Sequence, residues 1–405
     1  MNNDWQDTPF EIEQEDSHFS APRLPASRGL STVAASFRRH QRRIATVAAI
    51  LLPVLVLSTI LYTALFNPQA SSGIAAPTRI YDRNNVLLWT MPRAATTSAG
   101  QKRAPHFVDY VVSQLALMLT DDGTVERGMQ ILRQSGLQVH TTIDVHLEDA
   151  VEQFVQHYIA QPYTLNYSFE TGTFPPLNAP QSQGGHNIHD AAVVVTDPQT
   201  GDILAMDGSA DYYGQGDSRA GGASNAATSF IQAGPAFMPF VYAAAFEEGW
   251  FPSLVLRDQP TCFPIQVDPN SQSPQAQACR QWYAPINASG QFLTDAQEQP
   301  PTMAQGIRIR SALGAALNIP AVQALYFAGL DNVITLAERM GITSSSFSEQ
   351  SKGPAIALGA GDVSLLGLVN AYGTFANGGY HVLPRAISRI TDARGQVIAG
   401  GDFQT

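Results

Sequence analysis

Only two of the 405 residues are lysines, Lys102 and Lys352, so the 23 basic side chains are otherwise 21 arginines. A serine followed one helical turn later by a lysine is a nucleophile–base pair. Residues i and i+3 share a helix face, and an amine of perturbed pKa can take the hydroxyl proton. The residues three places before the two lysines are Ala99 and Glu349, so the chain holds no Ser-x-x-Lys. No asparagine has a serine two places before it, and Lys352 is followed by Gly-Pro. His186 and His189 are three apart with no third ligand nearby, and His140, His146 and His157 do not form His-Glu-x-x-His, so no metal site and no cofactor are expected. Cys262 and Cys279 lie in a Pro/Gln/Ser-rich stretch and are candidates for one disulfide.

The elements that must position such groups follow from composition and pattern. Hydrophobic residues make up 44% of the chain, which excludes wholesale disorder, and the formal charge of −11 (23 basic against 34 acidic) makes nucleic acid an unsuitable partner. Residues Ile44 to Phe66 contain no charge over 23 positions, enough to cross a bilayer. Arg38, Arg39, Arg42 and Arg43 precede the run, and Arg79 is the one charge in the 15 residues after it. The expected topology is a cytoplasmic, mostly disordered tail over 1–43, a signal-anchor helix over 44–66 in contact with lipid, and an extracytoplasmic remainder. The rival is a cleaved signal peptide, whose apolar region is normally shorter.

Beyond the anchor, Thr78 to Trp89 alternates like a hairpin with Asn84-Asn85 at its turn. Helices are predicted over His106 to Leu119 and His146 to Ile159, and a long loop over Thr171 to Gly185. Ala191 to Asp207 reads as strand–turn–strand around Asp197-Pro198-Gln199-Thr200-Gly201. A helix opens at Gly234-Pro235, with Phe237, Phe240, Val241 and Ala244 on one face. Further helices are predicted near Ala321 to Met340 and over Val363 to Phe375, the latter capped by Asp362, and a strand pair over Val382 to Val397. Strands interleaved with helices predict an α/β (α+β) domain.

Six segments carry a family resemblance. VHTTIDVHLEDAVEQ (139–153), AAVVVTDPQTGDILAMDG (191–208), QAGPAFMPFVYAAAFEEG (232–249), YAPINASGQF (283–292), SALGAALNIPAVQAL (311–325) and LGLVNAYGTFANGGYHVLPRAISRI (366–390) occur in the family's order. Together they resemble the transpeptidase domain of penicillin-binding proteins. TRIYDRNNVLLW and APHFVDYV are similar to the class A, bifunctional branch, in which a glycosyltransferase domain precedes the transpeptidase. The resemblance implies a penicillin-binding/β-lactamase-like fold and serine-type acyl transfer on cell-wall peptides.

The same resemblance places the family's nucleophile at Pro235 and its lysine at Met238, and reads the Ser-x-Asn motif as Ala316-Leu317-Asn318. Proline offers no nucleophile, and a thioether is no general base. The family's Lys-Thr-Gly strand would follow Thr405, so a C-terminally incomplete domain is expected. Fourteen residues separate Trp89 from Ala104, too few to form a glycosyltransferase. The expected organisation is tail 1–43, anchor 44–66, membrane-proximal hairpin and linker 67–138, and an incomplete transpeptidase-like domain over 139–405. The function expected is a catalytically inactive pseudo-transpeptidase with a scaffold or regulatory role in peptidoglycan synthesis beside other cell-wall proteins. A non-functional remnant of a bifunctional enzyme, and an active enzyme using non-standard residues, are the alternatives. Asn318 and Tyr372, with Tyr212 and Tyr213, could line a relic groove for noncovalent peptide or β-lactam binding.

Overall fold

The computed structural model describes residues 76–93, 100–120, 123–166, 171–216, 219–264, 282–293, 306–343 and 353–400. The tail, the 44–66 run, Lys352 and Cys279 lie outside the described residues. Among the described residues no single helix is long and apolar enough to cross a membrane.

Local chemistry sets the first turns. The buried Asp82 carboxylate accepts the N–H groups of Asn84 (2.8 Å) and Val86 (2.7 Å), and Asn85 takes the left-handed conformation the turn needs (φ 65°). This closes the hairpin β1 (Arg79–Tyr81) and β2 (Leu87–Thr90). Helices α1 (Pro105–Met118) and α2 (Val125–Ser135) follow, then β3 (Gln138–Thr141) and α3 (Val145–Ala160). Asp144 caps α3 by accepting from His146 N and Leu147 N at 3.0 and 3.4 Å.

Next come β4 (Tyr163–Asn166) and β5 (Thr171–Phe174), an antiparallel pair. The loop predicted from Thr171 therefore begins as a strand. Cross-strand pairs of Tyr163 with Phe174 and Thr164 with Thr173 outweigh the Gly and Pro content that suggested a loop. The hairpin β6 (Val193–Thr196) and β7 (Ile203–Asp207) forms around the expected turn, where Asp197 Oδ1 accepts from Gln199 N at 2.8 Å.

After β8 (Phe230–Gln232), a 3-10 turn over Gly234–Phe237 leads into α4 (Met238–Glu247). Short pairs follow: β9 (Val255–Leu256), β10 (Phe263–Pro264), β11 (Trp282–Tyr283) and β12 (Ile307–Arg308). The helices α5 (Ile309–Gly314), α6 (Asn318–Ala328) and α7 (Leu330–Arg339) come next. One helix was expected near 321–340; Gly329, at φ 83°, splits it into α6 and α7, bent by 93°. Asp362 is not a helix cap either. It lies in β13 (Asp362–Ser364), which pairs with β8, and Ser364 caps α8 (Leu365–Ala376) by accepting from Gly367 N at 3.0 Å. The chain ends its described part in the pair β14 (Ile387–Thr391) and β15 (Val397–Gly400).

A five-stranded mixed sheet runs β15-β14-β3-β1-β2, with β1 and β3 parallel. Its core contains Ile80, Phe107, Val111, Leu115, Leu132, Val139 and Ile390 together with Ile203 and Met206 of β7. Arg385 ties the β7 entrance to this sheet: its Nε donates to Asp202 Oδ1 at 2.6 Å, and Thr142 Oγ1 donates to the carbonyls of Ile203 and Arg385. A second core surrounds α4 and contains Phe237, Met238, Phe240, Val241, Ile319, Val322, Leu336 and Ile356.

Candidate functional site

The turn over Gly234–Phe237 is fixed from two sides. Gly234 N–H donates to the Gly359 carbonyl at 3.2 Å, and the Tyr372 hydroxyl donates to the Ala236 carbonyl at 2.7 Å. Pro235 is exposed on this turn, whereas Phe237 and Met238 are fully buried. Proline suits a first helical turn because its missing N–H is one the helix leaves unbonded. Met238 points its thioether into the α4 core, where an ammonium would lose its hydration.

Gly359 sits at φ +76°, and a Cβ there would lie 1.9 Å from the Gly234 carbonyl oxygen. Gly359→Ala is therefore expected to cost more than the roughly 1–2 kcal/mol of left-handed strain alone, because backbone must also move. A denaturant titration checks this, and a variant as stable as the parent would show that the turn is not held there.

Tyr372 is thus adjacent to the Pro235 turn, and its ring packs edge-on against Phe240. Ala316 is partly buried against the α4 core and takes the strained left-handed conformation (φ 49°). Asn318 is engaged elsewhere. Its N–H donates to Asn287 Oδ1 at 2.8 Å and its Nδ2 to the Ile286 carbonyl at 2.6 Å. Asn287, the asparagine of the Asn-Ala-Ser sequence, is itself buried and donates to Asp258 Oδ2 at 2.8 Å. The Asn318 amide therefore fastens α6 to the 286–291 loop.

Tyr212 and Tyr213 stand in a separate cluster with the one described lysine. Lys102 Nζ donates to Asp109 Oδ1 at 2.5 Å and to the Tyr212 hydroxyl at 3.1 Å, and Tyr212 donates to the other Asp109 oxygen. The ammonium also lies 5.2 Å from the Trp89 ring centre. Burial pulls the amine down, but the bonds and charges of Asp109 and Tyr212 together hold it above its ordinary value. An amine held protonated is no proton acceptor, so Lys102 does not substitute for the lysine absent at Met238.

Cys262 is disulfide-bonded, and the other cysteine lies outside the described residues. His189 Nε2 lies 3.1 Å from Asn187 Oδ1, and among the described residues no three metal-ligating side chains converge.

Buried groups that no motif marked stand out in the structure. Glu148 on α3 is 4% exposed and its Oε2 accepts Met206 N–H at 2.8 Å. Burial, helped by the charges of Asp207, Glu152 and Asp149 and opposed by the Met206 bond, pushes its carboxyl up to about 8. His106, Asp207 and Ser209 lie near it, all buried. Their separation along the chain left no local spacing to read.

No protein-family model matches the chain. Among curated relatives it is 27% identical over 300 residues to penicillin-binding protein 2D of Bacillus subtilis, covering 74% of this chain and 34% of that protein. It is 30% identical over 208 residues to penicillin-binding protein 1A of Neisseria meningitidis, covering 51% and 22%. In solved structures the fold matches penicillin-binding protein 1A from Haemophilus influenzae with TM-score 0.53 at 16% identity, over 82% of this chain and 72% of that one. It matches penicillin-binding protein A from M. tuberculosis, determined as a penicillin G acyl-enzyme complex, with TM-score 0.57 at 16% identity, over 82% and 78%.

The chain is similar in sequence to penicillin-binding proteins and shares the fold of their transpeptidase domains.

It spans 34% and 22% of the length of these two curated relatives. The sequence resemblance assigns the family's nucleophile position to the turn that precedes α4. There the side chains presented are a proline ring outside and a thioether inside. The packing around the helix is dense: Phe240, Val241, Ala244 and Ala245 are each 0–1% exposed.

Proposed function

We propose that this protein is a membrane-anchored, non-acylating pseudo-transpeptidase with a scaffold or regulatory role in peptidoglycan synthesis. The observation that carries the reading is the pair Pro235 and Met238 at the family's nucleophile and lysine positions. Acyl transfer needs an oxygen or sulfur nucleophile and a base within hydrogen-bond reach of it, and this turn supplies neither. The buried packing of α4 supports a retained binding framework in place of retained chemistry.

The anchor part of the reading rests on the uncharged 44–66 run behind four arginines, which supports a folded domain on the far side of the membrane from the cytoplasm. Contact with other cell-wall synthesis proteins would use exposed apolar side chains near the former site. Tyr372 and Phe375 on α8 and Tyr380 beyond it are 38%, 43% and 76% exposed. A photo-crosslinking residue at position 375 tests the role in cells. Capture of a specific envelope protein of cell-wall synthesis is expected, and a lane with no crosslinked partner would overturn the scaffold reading.

A further inference from the structure

Two arginines stand on either side of a buried isoleucine at the start of α5. β12 pairs antiparallel with β9, placing Arg308 opposite Val255, and Ile309 N–H donates to the Leu254 carbonyl at 3.0 Å. Ile309 is 1% exposed in the α4 core, whereas Arg308 and Arg310 are exposed. Gly306 permits the close approach of the two strands: at φ +115°, a Cβ there would lie 2.5 Å from Val255 Cγ1. On the β9 side, Leu254 N–H donates to the Phe251 carbonyl at 2.9 Å, closing a turn with Pro252 and Ser253 at its tip.

Arg308, Arg310, Pro252, Ser253 and Ser311 line one cavity of about 380 Å³. That volume falls in the range of small-ligand pockets. The donors around it are unspent. Among the described residues, neither guanidinium has an ion-pair partner and neither serine hydroxyl has a hydrogen bond. The carboxylates closest in sequence are committed elsewhere. Glu247 pairs with Arg339 at 2.9 Å, and Glu248 accepts from Asn332 Nδ2 at 3.0 Å. Asp258 Oδ2 accepts from Asn287 Nδ2 and from Leu293 N–H, each at 2.8 Å.

Each guanidinium offers N–H donors in a planar fork and keeps its charge, and each hydroxyl adds a further donor. Two forks on one cavity match a group with several anionic oxygens. A phosphate has them, whereas a lone carboxylate is satisfied by one fork. The rim beside these donors is apolar, with Phe251 54% and Val255 48% exposed.

We propose that this cavity is a binding site for a phosphate-bearing ligand, held by Arg308 and Arg310 with Ser253 and Ser311. The cavity lies past the C-terminal end of α4, whereas the Pro235 turn opens the other end of that helix. Binding here is therefore independent of whether that turn can be acylated. The phosphate belongs either to a soluble ester or to a lipid headgroup, and in the second case Phe251 and Val255 supply contact for the apolar part.

Isothermal titration calorimetry of the full chain in phosphatidylcholine nanodiscs, with pyrophosphate as the probe, tests the site. One saturable site is expected, weakened by added salt. Arg308→Ala and Arg310→Ala should each weaken binding about tenfold, and the double variant should abolish saturation. Arg310→Lys keeps the charge without the fork and should recover only part of the affinity. Arg394→Ala, on the turn between β14 and β15, should leave binding unchanged. Discs that also contain phosphatidic acid identify the source. Weakened pyrophosphate binding that Phe251→Ser relieves assigns the site to a headgroup, and an unchanged isotherm assigns it to a soluble phosphate; both support the site. No saturable binding by the parent, full binding by the double variant, or an equal loss in Arg394→Ala would each overturn it. The substituted side chains are exposed, and matching melting temperatures check that the variants fold.

Discussion

Incubated with a fluorescent penicillin and boiled in detergent, the purified protein will carry no covalent label. Acylation requires an atom that attacks the lactam carbonyl and remains bonded to it. At the position that the sequence resemblance assigns to the nucleophile, in the turn over Gly234–Phe237, the side chain is the Pro235 ring, which has no such atom. Loss of a catalytic serine elsewhere lowers turnover on the order of a million-fold, which places any residual reaction below detection. The single variant Pro235→Ser regains a hydroxyl but not its proton acceptor, and is expected to stay unlabelled on the same timescale. Adding Met238→Lys is expected to fail differently. Met238 is 0% exposed within the α4 core, so an ammonium there is a buried charge without a counterion, costing about 3–5 kcal/mol. A label on the parent protein that survives boiling would sink the non-acylating reading at once.

How much of this was legible in the sequence depends on how local each signal is. The β6–β7 hairpin was readable because Asp197 to Gly201 is a turn written in adjacent residues, and the structure places Asp197 Oδ1 on the Gln199 and Thr200 N–H groups. Helices α1, α3 and α8 followed from apolar spacing. The bend between α6 and α7 was missed because one glycine in an apolar helical pattern reads as tolerated, and only the φ of 83° at Gly329 shows the break. Asp362 mimicked a cap because aspartate before an apolar run has that signature. The strand β13 was decided by its partner β8, 130 residues earlier, and no local pattern records such pairing.

At the site, the identities of Pro235 and Met238 were visible, but the role of Asn318 was not. Its side chain was free, on paper, to line a groove, and the structure gives both its nitrogens to the 286–287 loop. The knot of His106, Glu148, Asp207 and Ser209 is the extreme case. Its members come from α1, α3, β7 and the loop beyond, and none has a neighbour in sequence that marks it.

That knot also sets the largest expected effect on stability. Glu148 is 4% exposed, and its carboxyl is pushed up to about 8 by burial first and by Asp207, Glu152 and Asp149 after it. In the unfolded chain the same group titrates near 4.5. Between those values the unfolded state releases a proton that the folded state keeps, so stability is full below about pH 4.5 and declines as pH rises. Each pH unit of that window costs about 1.4 kcal/mol, giving a loss on the order of 5 kcal/mol by pH 8, beyond which the contribution levels off. Glu148→Gln keeps an oxygen for the Met206 N–H and has no proton to lose, so its stability should lack this decline. Denaturant titrations of parent and variant at pH 5, 6, 7 and 8 isolate the effect, because the difference between the two cancels every other titrating group not coupled to Glu148. The variant should gain on the parent at each step up in pH. A difference constant within about 1 kcal/mol across that range would mean that Glu148 ionises freely in the folded protein, through water reaching it or a shift of α3 away from β7.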